Sequence, residues 1–184
     1  EQPMSASFAR INLVRALTLL VWTAGVASAA DLPTGATHLP AASDRKPAPD
    51  FELRDANDAR ITLSSYKGRV VLLDFWATWC TGCKVEIPWY MEFQKKYARR
   101  GLTSIGVAMD EEGWQKVKPY LETHPINYPI VLGYPDLVKP YQIANMPVTL
   151  LIDRQGKIAD AHIGVVVKDT WEREIRQLLN EKSK

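Results

Sequence analysis

Val70 to Trp76 reads Val-Val-Leu-Leu-Asp-Phe-Trp, a run of branched, apolar and aromatic residues broken only by Asp74. Such a run suits a strand buried on both faces of a largely parallel sheet. Cys80 and Cys83 follow almost at once, and beyond them Ile87, Tyr90, Phe93 and Tyr97 recur at steps of three and four. The hydrophobic period thus changes from sheet to helix at the cysteine pair, which places Cys80 and Cys83 where a buried strand hands over to a helix.

That place has a chemical consequence. A helix N-terminus carries roughly half a positive charge and several unpaired N–H groups, so a cysteine there is stabilised as its thiolate. At a pKa near 8.5 about 3% of a thiol is ionised at neutral pH, against about half at a pKa near 7. Cys80, at the mouth of the helix, gains most and is the expected nucleophile. Cys83, one turn further in, is the expected resolving thiol, able to release a mixed disulfide from Cys80.

Two other uses of the pair are weaker. A bridge across so short a span restrains little chain, giving about 2 kcal/mol against about 3 for a fifteen-residue loop, which makes it a poor staple. A zinc site would need further ligands, but the chain has no third cysteine, and His38, His124 and His162 lack the spacing of a zinc motif. No metal and no cofactor is expected.

The run Asp74-Phe75-Trp76-Ala77-Thr78-Trp79-Cys80-Thr81-Gly82-Cys83-Lys84, with Pro88 five residues on, resembles the thioredoxin superfamily. The segment from Asn145 to Ile158, with Met146-Pro147 and Asp153-Arg154-Gln155-Gly156, narrows the resemblance to the TlpA/ResA-like thiol-disulfide oxidoreductases. It covers about Pro47 to Leu179. It implies a thioredoxin-like three-layer α/β/α sandwich with a mixed central sheet, an N-terminal β-hairpin and a central β/α insertion.

Ahead of that domain, Arg10 and Arg15 flank the start of an apolar stretch, Ala16 to Val26, followed by the small residues Ala27 to Ala30. This is the pattern of a secretory signal peptide over 1–30, and the apolar core is short for a membrane anchor, which needs about twenty residues. Residues 31–49, with Pro33, Pro40, Pro47 and Pro49 and no periodicity, read as a linker to a domain over 50–184. Export to the periplasm or the outer face of the cytoplasmic membrane is expected. The formal charge of +2 falls to near neutral once the leader is removed, which gives no footing for nucleic acid.

Within the domain, Phe51-Glu52-Leu53 and Ile61-Thr62-Leu63 flank a turn and suggest the hairpin. The active-site helix is expected from Cys80 to Arg99, ended by Gly101, with Pro88 as a kink. Thr103 to Met109 is the next buried strand, Asp110 a cap for a helix over 111–123, and Ile130 to Leu132 a short strand. Val148 to Ile152 and Ile158 to Ile163 read as antiparallel strands about the turn at 153–156. The last helix is expected from Asp169, with Glu172 as its capping-box partner and Trp171, Ile175, Leu178 and Leu179 on its buried face.

Several further site residues come from the resemblance. Met146-Pro147 resembles the superfamily's cis-proline site, where Met146 would offer its backbone to a substrate chain; Trp79 would face that substrate. Asp74, an acid in a buried strand, has a raised pKa and could take the proton from Cys83. TlpA/ResA-like proteins frequently carry asparagine there, so Asp74 is a departure. Glu86, one turn after Cys83, recurs in the group and would tune the second thiol and the partner contact; a solvated helix carboxylate is the other reading.

The leading functional reading is a reductant of client protein disulfides. Thr81 and Gly82 supply no cation of the kind that makes a strong oxidant. The resemblance implies clients in cytochrome c maturation or copper-site assembly, re-reduction by a membrane thiol reductant of the DsbD/CcdA type, and a monomer. An oxidant or isomerase of the same fold remains the alternative, as does a copper-binding module using Cys80, Cys83 and Met146.

Overall fold

The computed structural model describes residues 39–182. The leader expected over 1–30 lies outside the described residues. Among the described residues no helix is long and apolar enough to cross a membrane.

The first elements are a small antiparallel pair, β1 (Glu52–Arg54) and β2 (Arg60–Thr62), closed by the turn expected from Asp55 to Asp58. The central run then forms β3 (Val70–Trp76), every residue of it buried. After the helix α1 (Thr81–Tyr97) come β4 (Leu102–Ala108), α2 (Trp114–Thr123) and β5 (Ile130–Leu132). The hairpin β6 (Val148–Ile152) and β7 (Ile158–Ile163) and the helix α3 (Lys168–Asn180) complete the chain.

The main sheet has the order β5-β4-β3-β6-β7. Strand β3 is at its centre, parallel to β4 and antiparallel to β6, which makes the sheet mixed. Alternate residues of β3 serve two cores, as the strand's two-residue period requires. Val70, Leu72 and Trp76 meet the apolar faces of α1, α2 and α3. Val71, Leu73 and Phe75 meet a second cluster built with Phe51, Leu53, Leu63, Leu137 and Tyr141. The second face is therefore covered by the β1–β2 pair and a short 3-10 segment at Pro135–Leu137, with no long helix on it among the described residues. Strand β5, delivered by α2, extends the sheet at the β4 edge, which is the expected insertion.

Three expectations need correction. Residues 39–49 do not behave as linker: Leu39 joins the core, Arg45 is buried, and its guanidinium reaches Asp153 at 3.1 Å and Glu181 at 2.6 Å. A buried cation held by two carboxylates from the C-terminal part of the chain ties this segment to the domain. Asp110 does not cap α2, whose N-cap is Gly113 at φ 59°. Its carboxylate turns back toward the cysteine loop instead. The capping box at Asp169 and Glu172 is not formed: α3 starts at Lys168 without a side-chain cap, and Glu172 accepts from Lys96 at 2.5 Å and from the hydroxyl of Tyr97. With α1 alongside, a lysine and a phenol offer that carboxylate more than its own backbone does.

Candidate active site

The last residues of β3 lead straight into the site. Met109 N–H donates to the Trp76 carbonyl at 2.8 Å, continuing the β3–β4 pairing, and Cys80 N–H donates to the Ala77 carbonyl at 3.0 Å, closing a tight turn. Asp110, buried, clamps this turn from the next strand end. Its carboxylate accepts from the Thr78 backbone N–H at 3.0 Å and from the Thr78 hydroxyl at 2.5 Å. Sequence reasoning missed this clamp; an acid just after a buried strand reads equally as a helix cap.

Cys80 is the N-cap of α1, and its Sγ accepts from Cys83 N–H at 3.1 Å. Sulfur thus occupies the position where a serine or aspartate oxygen satisfies a helix's first free N–H groups, the geometry that stabilises negative charge on that atom. Cys80 and Cys83 form a disulfide, both largely buried. Helix α1 runs on through Pro88 to Tyr97.

Against the cysteine turn lies the Met146–Pro147 peptide, which is cis. Its closeness is shown by Gly82: a Cβ there would stand 3.1 Å from Pro147 Cδ and 2.9 Å from Val165 Cγ2. Trp79 is 63% exposed beside the disulfide, and with Met109, Glu111, Glu112, Ile143 and Met146 it lines a cleft of about 630 Å³. Val165, which lies against Gly82, is exposed as well, so apolar side chains at the disulfide stand open to a partner beside a cleft that Glu111 and Glu112 also line.

Beneath the pair, on the helix-covered face, lies a polar row across three strands. Asp74 on β3 is paired with Thr149 on β6, and Thr149 with His162 on β7. Asp74 is fully buried; burial, then the nearby charge of Glu86, holds its carboxyl well above the usual range, against a hydrogen bond from Thr149. Its Oδ2 has no hydrogen-bond partner among the described residues.

Glu86 is fully buried too, which corrects both its surface readings: it is neither a solvated helix carboxylate nor able to touch a partner. Its Oε1 accepts from the Trp171 indole N–H and from Val166 N–H, each at 3.1 Å. Burial raises its pKa while these donors pull the other way. The reason for its inward turn is the same helical stripe that buries Cys83 and Tyr90.

Cys80, Cys83, Trp79, Met146 and Pro147 are therefore gathered at one surface, with Asp74 and Glu86 in the core below. A strand, a cysteine-capped helix and a cis-proline loop on a mixed sheet define a thiol-disulfide oxidoreductase of thioredoxin-like fold. The chain belongs to the AhpC/TSA family, whose pattern matches residues 45–161.

Its relatives include proteins named as thiol-disulfide oxidoreductases. It is 31% identical over 129 residues to the thioredoxin-like protein YneN of Bacillus subtilis, covering 70% of this chain and 76% of that one. It is 33% identical over 132 residues to the thiol-disulfide oxidoreductase ResA of Geobacillus kaustophilus, covering 71% and 75%. Among solved structures it resembles a thiol:disulfide interchange protein of the thioredoxin family from Chlorobium tepidum, with a TM-score of 0.68 and 30% identity over 76% of this chain and all of the other. StoA from Bacillus subtilis matches at a TM-score of 0.59 and 25% identity, covering 68% of this chain and 96% of that one.

Proposed function

We propose that this chain is an exported reductant of client protein disulfides. In its dithiol form, the Cys80 thiolate attacks one sulfur of a client disulfide, forming a mixed disulfide and releasing the client's other sulfur as thiolate. Cys83, giving its proton to Asp74, then attacks Cys80 Sγ; the second client thiol leaves and the Cys80–Cys83 disulfide remains. Two electrons pass from the protein to the client. A membrane thiol reductant of the DsbD/CcdA type returns them.

The observation that carries this reading is Cys80 as the sulfur cap of α1, in a turn whose Gly82 packs against Pro147 and beside the exposed Trp79. A client strand laid along Met146 would set its cysteine over Cys80, with a neighbouring side chain in the cleft by Trp79. Glu86 acts from within on the carboxyl beneath the thiols. Export rests on the leader pattern over 1–30. Clients in cytochrome c maturation or copper-site assembly rest on the resemblance to the TlpA/ResA-like group.

The test is a trap. Cys83→Ala leaves the mixed disulfide on Cys80 unresolved, so clients recovered from the periplasm by mass spectrometry should be linked through Cys80 and carry paired cysteines. Wild-type protein should also speed reduction of insulin by dithiothreitol. If adducts form equally with Cys80→Ala, or insulin reduction is not accelerated, the reading is wrong.

A further inference from the structure

The core behind the disulfide holds more charge than the proposed reaction uses. Asp160 and His162 on β7 and Glu174 on α3 are all buried and converge, His162 Nε2 lying 3.1 Å from Glu174 Oε2 and 3.3 Å from Asp160 Oδ2. Arg173 approaches the other Glu174 oxygen at 3.7 Å from the surface. The imidazole stands edge-on to Trp171 with ring centroids 4.5 Å apart, and the same indole donates to Glu86. The cluster is thus one ring away from Glu86.

Two carboxylates around one imidazole favour its cation. Burial works against that charge, but the hydrogen bonds and charges of Asp160 and Glu174 outweigh it and hold the His162 pKa at about 9. The groups acting on Glu86 are Val166 N–H, Trp171, Tyr90 on α1 and His162 on β7, with Asp74 facing it from β3. Only His162 among them can carry a positive charge. Two buried carboxyls do not both ionise readily where the charge of one raises the pKa of the other, as that of Glu86 does for Asp74, so one holds a proton and the other the charge. Two N–H donors meet at Glu86, and the charge of His162 acts on it from beyond the Trp171 ring, whereas Asp74 receives one hydroxyl.

Resting on the reductase reading above, we infer that His162 is a positioning residue for the redox step: clamped as imidazolium by Asp160 and Glu174, it keeps the negative charge of the buried pair on Glu86. The proton consequently stays on Asp74. When a thiolate from the reductant opens the Cys80–Cys83 bond, Cys83 leaves as thiolate and takes that proton, leaving Asp74 a carboxylate beside charged Glu86. That repulsion makes Asp74 the base that takes the proton back when Cys83 attacks a mixed disulfide. Electrons move only between sulfurs.

Carbon-13 NMR titration of the side-chain carboxyls in the oxidised protein decides the matter and needs no activity. In His162→Gln, the Glu86 midpoint should rise by about one pH unit, a tenfold gain in proton affinity, and the Asp74 midpoint should fall. The pH profile of disulfide reduction by dithiothreitol should move with Asp74, and should no longer respond to His162→Gln in a Glu86→Gln background. Glu174→Gln keeps Asp160 against His162 and guards against misfolding: it should bring the His162 midpoint down from about 9, with Glu86 following it. An unmoved Glu86 midpoint in these variants, or a kinetic shift that persists without Glu86, overturns the inference. So does retention of one equivalent of zinc by wild type after gel filtration, since the three side chains would then hold a metal in place of a proton. Failure to reduce insulin would remove the reductase reading while leaving the titration to place the proton.

Discussion

Asp74 and Thr149 stand opposite each other across the β3–β6 ladder, and the Thr149 hydroxyl donates to Asp74 Oδ1 at 3.2 Å. The same oxygen of Thr149 accepts from the Tyr90 hydroxyl at 3.1 Å, so its single proton is committed to the aspartate. One neutral donor is a weak counterpart for a buried carboxylate, and the acid form of Asp74 is favoured.

Asp74→Asn therefore tests both chemistry and stability. The first attack by Cys80 should proceed nearly unchanged in single-turnover kinetics, whereas resolution by Cys83 should slow by about 10²-fold, the low end of what a positioned acid–base group supplies. The stability sign follows from the raised pKa. Above the ordinary carboxyl range the unfolded chain ionises and the folded one does not, so Asp74 costs increasing stability as pH rises. Asn should raise the Tm more at pH 7 than at pH 4; an equal gain at both would place an ordinary aspartate in the core.

Glu86 Oε1 accepts from two N–H donors, the Val166 backbone and the Trp171 indole. Glu86→Ala orphans both, at about 1–3 kcal/mol each, while Glu86→Gln keeps an acceptor oxygen. Urea unfolding should rank wild type near Gln and well above Ala. Equal losses for Ala and Gln would mean that charge, and not hydrogen bonding, fixes this residue.

Cys80 should be the faster-alkylating thiol in the comparison of Cys83→Ala with Cys80→Ala, with a midpoint below 8.5 in its pH profile. The helix N-cap position of Cys80 and the N–H of Cys83 directed at its sulfur are the cause. Faster reaction of Cys83 would reverse the assigned roles.

What the sequence made legible followed from period and local chemistry. The bounds of β5, β6 and β7 were readable because alternation and turn residues mark them locally, and the strand-to-helix change located the cysteines. Asp110, Glu172 and the supposed linker carrying Arg45 were misread because the bonds that fix them go to residues distant in sequence: Thr78, Tyr97 and, for Arg45, Asp153. Local rules assign an acid beside a helix start to that helix, and only the folded chain shows a better donor. The inward turn of Glu86 was in principle visible, since Cys83, Ile87 and Tyr90 share its stripe. The row from Asp74 to His162 was not, because strand register joins residues that spacing alone leaves unrelated.

Asp110 supplies a further test of the site's construction. Asp110→Ala removes the acceptor for both the N–H and the hydroxyl of Thr78, in the turn that carries Trp79 and Cys80. A loss of about 1–3 kcal/mol is expected in urea unfolding. The alkylation rate of Cys80 should fall too, because the turn no longer holds its sulfur over the first N–H groups of α1. Unchanged thiol reactivity would show that α1 positions Cys80 without the clamp.

Direction is the property that separates a reductant from an oxidant of the same fold, and it depends on how strongly the reduced thiolate is stabilised. Thr81 and Gly82 bring no cation between the cysteines, and Pro147 and Val165 crowd Gly82 with apolar carbon. The Cys80 thiolate has the helix terminus and the Cys83 N–H for support. The potential of the pair is accordingly expected nearer about −270 mV, as in thioredoxin, than about −120 mV, as in a strong oxidant. The gap of about 150 mV amounts to about 7 kcal/mol in a two-electron couple, so the two outcomes are well separated. Equilibration with glutathione, followed by the fluorescence of Trp76 and Trp79, measures it. A potential above about −150 mV would make the protein an oxidant of its clients, because the dithiol would then be too stable to reduce them.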